Sequence, residues 1–490
     1  MKKLMLVSLL LLLTAILSLG GFANPAQASD RGNHRGLLMD PIKIEDGYIS
    51  GTVFGDPDDP VRIYRGIPYA APPVGDLRWK PPQPSAKWSG IRECVDYSIY
   101  PVQFLPGRYY PVDSPQSEDC LYLNVLTPAR HDNEKLPVMV WFHGGGLWGA
   151  SGNDVTWNFH RLPQHGVVVV TVNTRLGPLG LLAHPELTAE SSNSASGNSM
   201  FLDQIAALQW VQRNISKFGG NPKNVTIFGQ SGGGSKVVLL LASPLAKGLF
   251  HRAIMQSGGN NPVGVPLAIS EAWGQEYFAK LGVATLAEAR ALPWKDLVDA
   301  FVAWGRDAQS NVETIDGWFL PDTVPNIFSS GHQNVVPLIV QAVSGELTPT
   351  SDMIPDFVNF LTSNLNVGTK GYAAIFNQLP ANWEANGQQS FHALDLAYTF
   401  GVYDDPYADI WQQMTARTTL KVPPELGEQD QIVSEGMMTM WTQFAKTGDP
   451  NVPGKAKRSV YWPVWTPSGD KYLYLDEGLQ INSGFSAVGK

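Results

Sequence analysis

One serine of this chain lies in a setting that could make it a nucleophile. Ser231 is the middle residue of Gly-Gln-Ser-Gly-Gly at 229–233, between an apolar run at 224–228 that predicts a buried strand and one at 236–241 that predicts a helix. A G-x-S-x-G sequence at such a corner is typical of a sharp turn that exposes the serine hydroxyl, with glycines where a Cβ would clash. A glycine-rich surface turn is the alternative, so other residues must decide.

A nucleophilic serine needs a general base, and the base needs an acid that orients it. In strand–turn–helix proteins of this kind the order along the chain is serine, acid, histidine. Of the nine histidines, only His251, His332 and His392 follow Ser231. His251 follows within about one helix, with no strand between to carry an acid, and His332 precedes the next predicted strand. His392 follows a later strand and is the predicted base.

The acid is expected at the carboxyl end of a strand between the serine and the histidine. The apolar run at 338–343 predicts such a strand, and Ser-Gly-Glu follows it directly at 344–346. Glu346 is therefore the predicted acid. Asp352 and Asp356, a little further along the chain, are the alternatives.

A second glycine cluster could stabilise the negative charge that develops on a carbonyl oxygen under attack. The sequence His-Gly-Gly-Gly at 143–146 follows an apolar run at 137–142 that predicts a buried strand. Consecutive glycines allow backbone N–H groups to point to one place, and together with the N–H of Gly232 this pattern matches an HGGG-type oxyanion hole. A phosphate-binding loop is the alternative, but its Gly-Lys-Ser/Thr ending is missing.

The elements that must position these residues alternate between strands and helices. Further apolar runs predict strands at 121–125, 167–172, 253–256 and 371–376, and helical spacing predicts helices at 202–215 and 432–446. Nearly continuous apolar runs are typical of strands buried on both faces. Residues 262–328 are predicted to be a mainly helical insertion. We expect an α/β protein with a large, mostly parallel sheet flanked by helices, and a single domain over 29–490, because no linker divides it.

Bulk properties exclude other classes of function. The 490 residues, 43% of them hydrophobic, can bury a large core, and the formal net charge of -9 disfavours a nucleic-acid-binding surface. Two cysteines without a histidine cluster make a poor zinc site. The sequence implies no metal and no organic cofactor, and it does not indicate an oligomeric state.

The N-terminus has the pattern of a targeting segment. Lys2 and Lys3 precede an apolar stretch at 4–19, and Ala-Gln-Ala at 26–28 supplies a cleavage site. This pattern predicts a signal peptide over residues 1–28, an uncleaved anchor being the alternative. The protein is then expected to be secreted or periplasmic, without a stable membrane anchor. In an exported protein Cys94 and Cys120 are expected to be bridged rather than to remain as two buried thiols.

Segments from about Gly51 to the C-terminus resemble the type B carboxylesterase family, which contains cholinesterases and bacterial para-nitrobenzyl esterases. Besides the glycine segments above, the resemblance is carried by RGIPYA (65–70), SEDCLYLNV (117–125), NTRLGPLG (173–180), LDQ (202–204), NISKFGGN (214–221) and FHALDL (391–396).

This resemblance implies an α/β-hydrolase fold and hydrolysis of small-molecule carboxylic esters. It implies a catalytic triad, an oxyanion hole and a disulfide, formed respectively by Ser231, Glu346 and His392, by Gly145, Gly146 and Gly232, and by Cys94 and Cys120. It also makes Ser257 similar to a second serine that supports the histidine region in this family. An amide, carbamate or lactone hydrolase of the same mechanism is an alternative, and so is a non-catalytic binding member of the family.

The chain departs from the family pattern at three places. The usual Asp-Glu-Gly around the acid reads Gly-Glu-Leu at 345–347, which makes the acid less certain than the serine. Gln230 precedes the nucleophile where many members have Glu, which weakens any case for a cationic substrate. The segment between Glu346 and His392 is short, so we expect a more open pocket that accepts bulkier esters.

Overall fold

Apolar runs rich in valine and isoleucine form the central strands of the molecule. The computed structural model describes residues 40–489 except 56–57, 104–113, 154–159, 260–262, 306–312, 403–408 and 455–458. The signal peptide predicted for residues 1–28 lies outside the described residues.

In chain order the strands are β1 (Ile42–Ile44), β2 (Gly47–Ser50), β3 (Thr52–Phe54), β4 (Val61–Pro68), β5 (Ile91–Glu93), β6 (Tyr100–Pro101), β7 (Gln116–Ser117), β8 (Tyr122–Thr127), β9 (Leu136–Phe142), β10 (Val168–Val172), β11 (Gly220–Gln230), β12 (Arg252–Gln256), β13 (Val265–Pro266), β14 (Thr314–Ile315), β15 (Leu338–Val343), β16 (Gly371–Phe376), β17 (Lys471–Leu475) and β18 (Leu479–Ser483).

The α-helices of the described residues are α1 (Arg161–Gln164), α2 (Gly177–Leu181), α3 (Pro185–Glu190), α4 (Ser199–Asn214), α5 (Gly232–Ala242), α6 (Leu267–Leu281), α7 (Leu286–Ala291), α8 (Trp294–Trp304), α9 (Val324–Ser329), α10 (Met353–Asn366), α11 (Ala381–Ala385), α12 (Asp395–Thr399), α13 (Asp409–Arg417) and α14 (Glu428–Thr447). Short 3₁₀ turns occupy Gly75–Leu77, Ile215–Phe218, Pro244–Ala246, Ser344–Glu346 and Phe485–Ala487.

Eleven strands form one sheet in the order β18-β17-β16-β15-β12-β11-β9-β10-β8-β4-β3. The seven strands from β17 to β10 pair in parallel, and the strands at both edges are antiparallel. The prediction of a large, mostly parallel sheet is therefore confirmed. Crossover helices cover both faces of such a sheet, which explains why its strands are apolar throughout.

Alternation along a strand sends side chains into two separate cores. In β9, Val138, Val140 and Phe142 belong to one hydrophobic cluster, while Met139 and Trp141 belong to the other. The second cluster also takes one face of α14, where Val433, Met437, Trp441 and Phe444 are fully buried at helical spacing. Both faces of the sheet are thus packed.

The register of the parallel strands aligns their carboxyl ends. Gly229 of β11 pairs with Phe142 of β9, and Gln230 pairs with Gln256 of β12. The residues that follow these strands therefore emerge at one edge of the sheet, where ligands bind in open α/β sheets.

The predicted insertion at 262–328 is mainly helical and contains α6 to α9. It also contains two short strands that were not predicted, β13 and β14, which pair in parallel over two residues. Such short pairings have no periodicity that a sequence pattern could reveal.

The predicted disulfide is absent from the structure. Cys94 and Cys120 are both buried as free thiols. Burial raises the pKa of Cys94 to about 11 and the pKa of Cys120 well above its usual value. Each cysteine thus packs as a small apolar side chain, which was the alternative interpretation.

No helix within the described ranges is both long enough and apolar enough to cross a membrane. These ranges belong to one compact unit.

Candidate active site

Ser231 occupies a strained corner between β11 and α5. Its backbone has φ 59° and ψ -127°, a conformation that non-glycine residues rarely adopt. The Ser231 N–H donates to the Gln256 carbonyl at 2.8 Å, and the Ser231 carbonyl accepts from Ser235 N–H at 3.1 Å. These bonds to β12 and to α5 hold the corner in place.

The glycines around Ser231 are required by close backbone contacts. A Cβ on Gly229 would lie 2.5 Å from the Gly233 carbonyl, and a Cβ on Gly233 would lie 2.0 Å from the Phe142 carbonyl oxygen. A Cβ on Gly232 would lie 2.0 Å from the Gly146 carbonyl oxygen. The G-x-S-x-G pattern is therefore a steric requirement of this corner and not a chance surface turn.

The structure brings Ser231, His392 and Glu346 together. His392 Nε2 lies 2.7 Å from Ser231 Oγ, and His392 Nδ1 is hydrogen-bonded to Glu346 Oε1. Glu346 follows β15 in a 3₁₀ turn, and its Oε2 accepts the Val343 N–H at 3.2 Å. Because a carboxylate can only accept, Nδ1 carries the imidazole proton, which leaves Nε2 free to accept the serine proton.

The alternative candidates lie elsewhere. His251 Nδ1 accepts a hydrogen bond from the Val225 N–H, which lies in β11 five residues before the strand ends at Gln230. His332 Nδ1 is hydrogen-bonded to Ser330 Oγ in its own loop. Asp352 precedes α10 and Asp356 lies in its first turn. Of the three acids considered, Glu346 is the one that contacts His392.

The side chains of His392 and Glu346 differ in solvent exposure. The His392 side chain is 44% exposed, whereas that of Glu346 is 13% exposed. Gln230, the last residue of β11, is 1% exposed, and its Nε2 lies 3.5 Å from His392 Nε2. A neutral amide rather than a carboxylate therefore faces the imidazole from the nucleophile strand.

The glycine loop after β9 presents unused backbone donors. Gly145 and Gly146 have φ of 79° and 64°, and the Gly145 carbonyl accepts from Trp148 N–H and Gly149 N–H. Among the described residues, no acceptor bonds to the N–H groups of Gly145 and Gly146. Gly232 begins α5, so its N–H also lacks an intrahelical partner. Contact between Gly232 and Gly146 brings these donors to one side of the corner.

Ser257 contacts the end of β15. Its Oγ accepts from the Val343 N–H at 3.2 Å, the same donor that Glu346 Oε2 uses. The second serine of the resemblance is therefore placed beside the strand that carries Glu346.

Asp395 is a residue of the site that was not predicted from the sequence. It is fully buried, and its Oδ2 accepts from Gln256 Nε2 at 2.8 Å and from Gln341 Nε2 at 3.0 Å. Burial, and next the negative charge of Glu346, raise the pKa of Asp395 to about 7. Its position three residues after His392 was the one signal available in the sequence.

Within the described part of the chain, no group of three or more His, Cys, Asp or Glu residues is placed to hold a metal ion.

Comparison with known proteins identifies related esterases. The model of the carboxylesterase family matches residues 40–365 and 345–487. The chain is 31% identical to the para-nitrobenzyl esterase of Bacillus subtilis (strain 168), over 88% of this chain and 95% of that protein. It is 40% identical to the fumonisin B1 esterase of Sphingopyxis macrogoltabida, over 62% of this chain and 57% of that protein's length.

Solved structures show the same fold. A para-nitrobenzyl esterase superposes with a TM-score of 0.76 at 27% identity, covering 90% of this chain and 96% of the other. A carboxylesterase of Geobacillus stearothermophilus superposes with a TM-score of 0.74 at 25% identity, covering 90% and 97%. The expected α/β-hydrolase fold is confirmed. The chain is a carboxylic ester hydrolase and belongs to the carboxylesterase family.

Proposed function

We propose that the protein hydrolyses carboxylic esters through an acyl-enzyme formed on Ser231. The observation that carries the proposal is the continuous hydrogen-bond chain from Ser231 through His392 to Glu346. This arrangement lets a weakly nucleophilic hydroxyl lose its proton at the moment of attack.

In the first step, His392 Nε2 takes the proton of Ser231 Oγ, and the oxygen forms a bond to the ester carbonyl carbon. Glu346 stabilises the imidazolium that results. The negative charge on the former carbonyl oxygen is accepted by the N–H groups of Gly145, Gly146 and Gly232. The alcohol then leaves with the proton from His392.

In the second step, water replaces the alcohol. His392 takes a proton from the water, whose oxygen attacks the acyl carbon, and the serine leaves with that proton. The carboxylic acid is released and the site is regenerated, with no atom supplied by a cofactor.

We expect uncharged, bulky esters to be accepted. The 44% exposure of the His392 side chain favours an open site, and the neutral Gln230 offers no charge to a cation. A small cavity of about 20 Å³ lies among α2, α6 and α8, and Trp148, next to the glycine loop, stacks on its Phe301 at 5.9 Å. Relatives named for cocaine and pyrethroid substrates are consistent with a broad ester range.

The serine is tested by Ser231→Ala. Removing the nucleophile is expected to lower the hydrolysis of para-nitrophenyl acetate by about 10⁴-fold or more, with an unchanged melting temperature. A fluorophosphonate probe should label the wild type and not the variant. Retained hydrolysis by Ser231→Ala would overturn the mechanism, and absence of labelling of the wild type would favour a non-catalytic member of the family.

A panel of matched substrates separates ester hydrolysis from its alternatives. Aryl esters, carbamates and anilides with one common acyl group all pass through the same acyl-enzyme. We expect the highest kcat/KM for the esters. Faster turnover of an anilide or carbamate would reassign the substrate class without changing the proposed roles of Ser231 and His392.

We further propose that the chain is exported and processed. The motif at residues 1–28 supports this proposal. Intact mass of the protein from its native host should correspond to a chain that begins at Ser29. A mass that includes residues 1–28 would contradict it.

A further inference from the structure

A lysine is buried against the glycine loop. Lys236 lies in the second turn of α5, the helix that begins directly after Ser231, and it is 1% exposed. Its Nζ donates a hydrogen bond to the His143 carbonyl oxygen at 2.9 Å. His143 immediately precedes the three glycines. One side chain therefore connects the nucleophile helix to the loop that supplies the backbone donors.

The amine has an energetically costly location. Burial lowers the pKa of Lys236 to about 7, and no described carboxylate forms an ion pair with it. A buried amine without a counter-charge costs free energy that a methionine of similar length would not. The neighbouring residues of α5, from Val237 to Ala242, are buried and apolar. Packing alone does not explain a lysine here.

The bond from Lys236 fixes the first peptide unit of the loop. Because a trans peptide is planar, the direction of the His143 carbonyl also sets the direction of the Gly144 N–H. The next unit is fixed by the His143 ring, whose Nδ1 donates to the Gly144 carbonyl at 2.9 Å and so orients the Gly145 N–H. Burial, and then the charge of Lys236, keep the pKa of His143 well below its usual value, so the ring stays neutral.

These contacts matter because glycines have little conformational preference of their own. Gly145 and Gly146 adopt positive φ and could rotate their N–H groups away at little steric cost. The preceding peptide units must therefore be held from outside the loop, and Lys236 is the side chain of α5 that does so.

We propose that Lys236 is a positioning residue for ester hydrolysis, which holds residues 143–146 so that their N–H groups face the developing oxyanion. This inference rests on the proposed function of Ser231 and of the glycine donors. Lys236 itself touches no reacting atom and acts through the His143 carbonyl.

Lys236→Met tests the inference, since it removes the donor and keeps an apolar chain of similar length. We expect kcat for para-nitrophenyl acetate to fall roughly 10- to 100-fold, less than the loss of an entire oxyanion donor, with KM changed by less than about two-fold. Inhibition by an aryl trifluoromethyl ketone, which forms a tetrahedral adduct on the serine, should weaken by the same factor as kcat/KM. The melting temperature should stay the same or rise, because a buried unpaired amine is removed.

The matched control is Lys446→Met. Lys446 Nζ also donates to the backbone carbonyl of a histidine, His165, at 2.8 Å, but it joins α14 to the end of α1. We expect kcat, KM and inhibitor binding of Lys446→Met to equal those of the wild type. An equal loss of kcat in both lysine variants would show a general effect of lysine removal and overturn the inference.

The outcomes separate this inference from the proposed function. If Ser231→Ala is inactive while Lys236→Met keeps wild-type kcat and ketone binding, Lys236 is not a positioning residue and the proposed function stands. A fall in melting temperature together with kcat would assign it a structural role instead. If Lys236→Met does not fold, Lys236→Gln, whose amide is too short to reach His143, is judged by the same criteria. Activity in Ser231→Ala would overturn the proposed function itself.

Discussion

The two sides of the site are held together in different ways. On the nucleophile side, residues 142–149 and 229–242, backbone packs directly on backbone. Added Cβ atoms at Gly232 and Gly233 would each lie 2.0 Å from a carbonyl oxygen. On the acid side, the ends of β12 and β15 together with residues 392–399, a Cβ on Gly345 would lie 1.7 Å from the Ser390 carbonyl oxygen, and hydrogen bonds between buried side chains are added to this contact. The first side depends more on shape, and the second depends more on polar pairing.

The polar pairing on the acid side converges on one carboxylate. Gln256 Nε2 lies within hydrogen-bond distance of both Asp395 Oδ2 and Thr399 Oγ1, and Gln341 also donates to Asp395. These side chains come from β12, β15 and α12, so they tie the histidine segment to the strand that carries Glu346. Leaving one member of such a buried network without its partner is costly, because the local dielectric is low.

Apart from removal of the nucleophile itself, the largest effect should come from Gly232→Ala, on the side that depends more on shape. The new Cβ would push Gly146 away from Gly232 and separate two of the oxyanion donors. We expect kcat to fall by about 10²- to 10³-fold, the cost of losing one such donor. Steady-state kinetics with para-nitrophenyl acetate measures it.

Gly427→Ala serves as the control for Gly232→Ala. Gly427 precedes α14 with φ -135°, and a Cβ there meets no atom within 4 Å. This variant should keep wild-type kinetics. Wild-type kcat in Gly232→Ala would show that the corner can relax and that shape does not fix the nucleophile side.

The same difference explains what could be predicted from sequence. Where two backbone segments touch, only glycine fits. Gly229, Gly232 and Gly233 therefore make the nucleophile recognisable from the five consecutive residues 229–233. The fold was equally predictable, because strands buried on both faces leave continuous apolar runs. Apart from its position three residues after His392, Asp395 left no pattern that reveals its role, because its partners lie 139 and 54 residues away.

Two other features were hidden for related reasons. Lys236 begins an apolar helical run and is indistinguishable there from a solvated lysine, since burial is not visible in a local pattern. The free state of Cys94 and Cys120 contradicts an expectation that depended on export and on family resemblance rather than on the residues around each thiol.

Each side buries one ionisable group whose pKa lies near 7, and the two should respond to pH with opposite signs. The pKa of Asp395 is raised to about 7 in the folded protein, so its favourable contribution is present at low pH and is lost as pH rises through 7. The pKa of Lys236 is lowered to about 7, so its contribution is lost as pH falls through 7. Glu346 and His392 are the titratable groups beside Asp395, and His143 is the titratable group that faces Lys236.

Melting temperatures of Asp395→Asn and Lys236→Met at pH 5 and pH 9 measure these signs. Relative to wild type, Asp395→Asn should gain stability as pH rises, because it lacks a carboxylate that must ionise in the core. Lys236→Met should lose its advantage over the same range, because the wild-type amine becomes neutral. Parallel pH dependences would contradict the opposite roles assigned to the two groups, whatever the size of each shift.

The smallest effect is expected at Gln230, where the two sides meet. Gln230 belongs to β11, and its Nε2 lies 3.5 Å from the Nε2 of His392. In Gln230→Glu a carboxylate would face the imidazolium and stabilise it, so the acidic limb of kcat/KM should move to higher pH. The shift should stay below about one pH unit, since the half-exposed histidine is screened by solvent.

Gln480→Glu on the exposed edge strand β18 changes the net charge by the same amount without contacting the site. Its pH profile should match that of the wild type, so any shift in Gln230→Glu beyond the control reports the local contact. Equal shifts in both variants would mean that long-range charge, not Gln230, acts on His392. A shift confined to Gln230→Glu would show that polar pairing connects the two sides. Residue 230, on the nucleophile side, would then influence the protonation of His392 on the acid side.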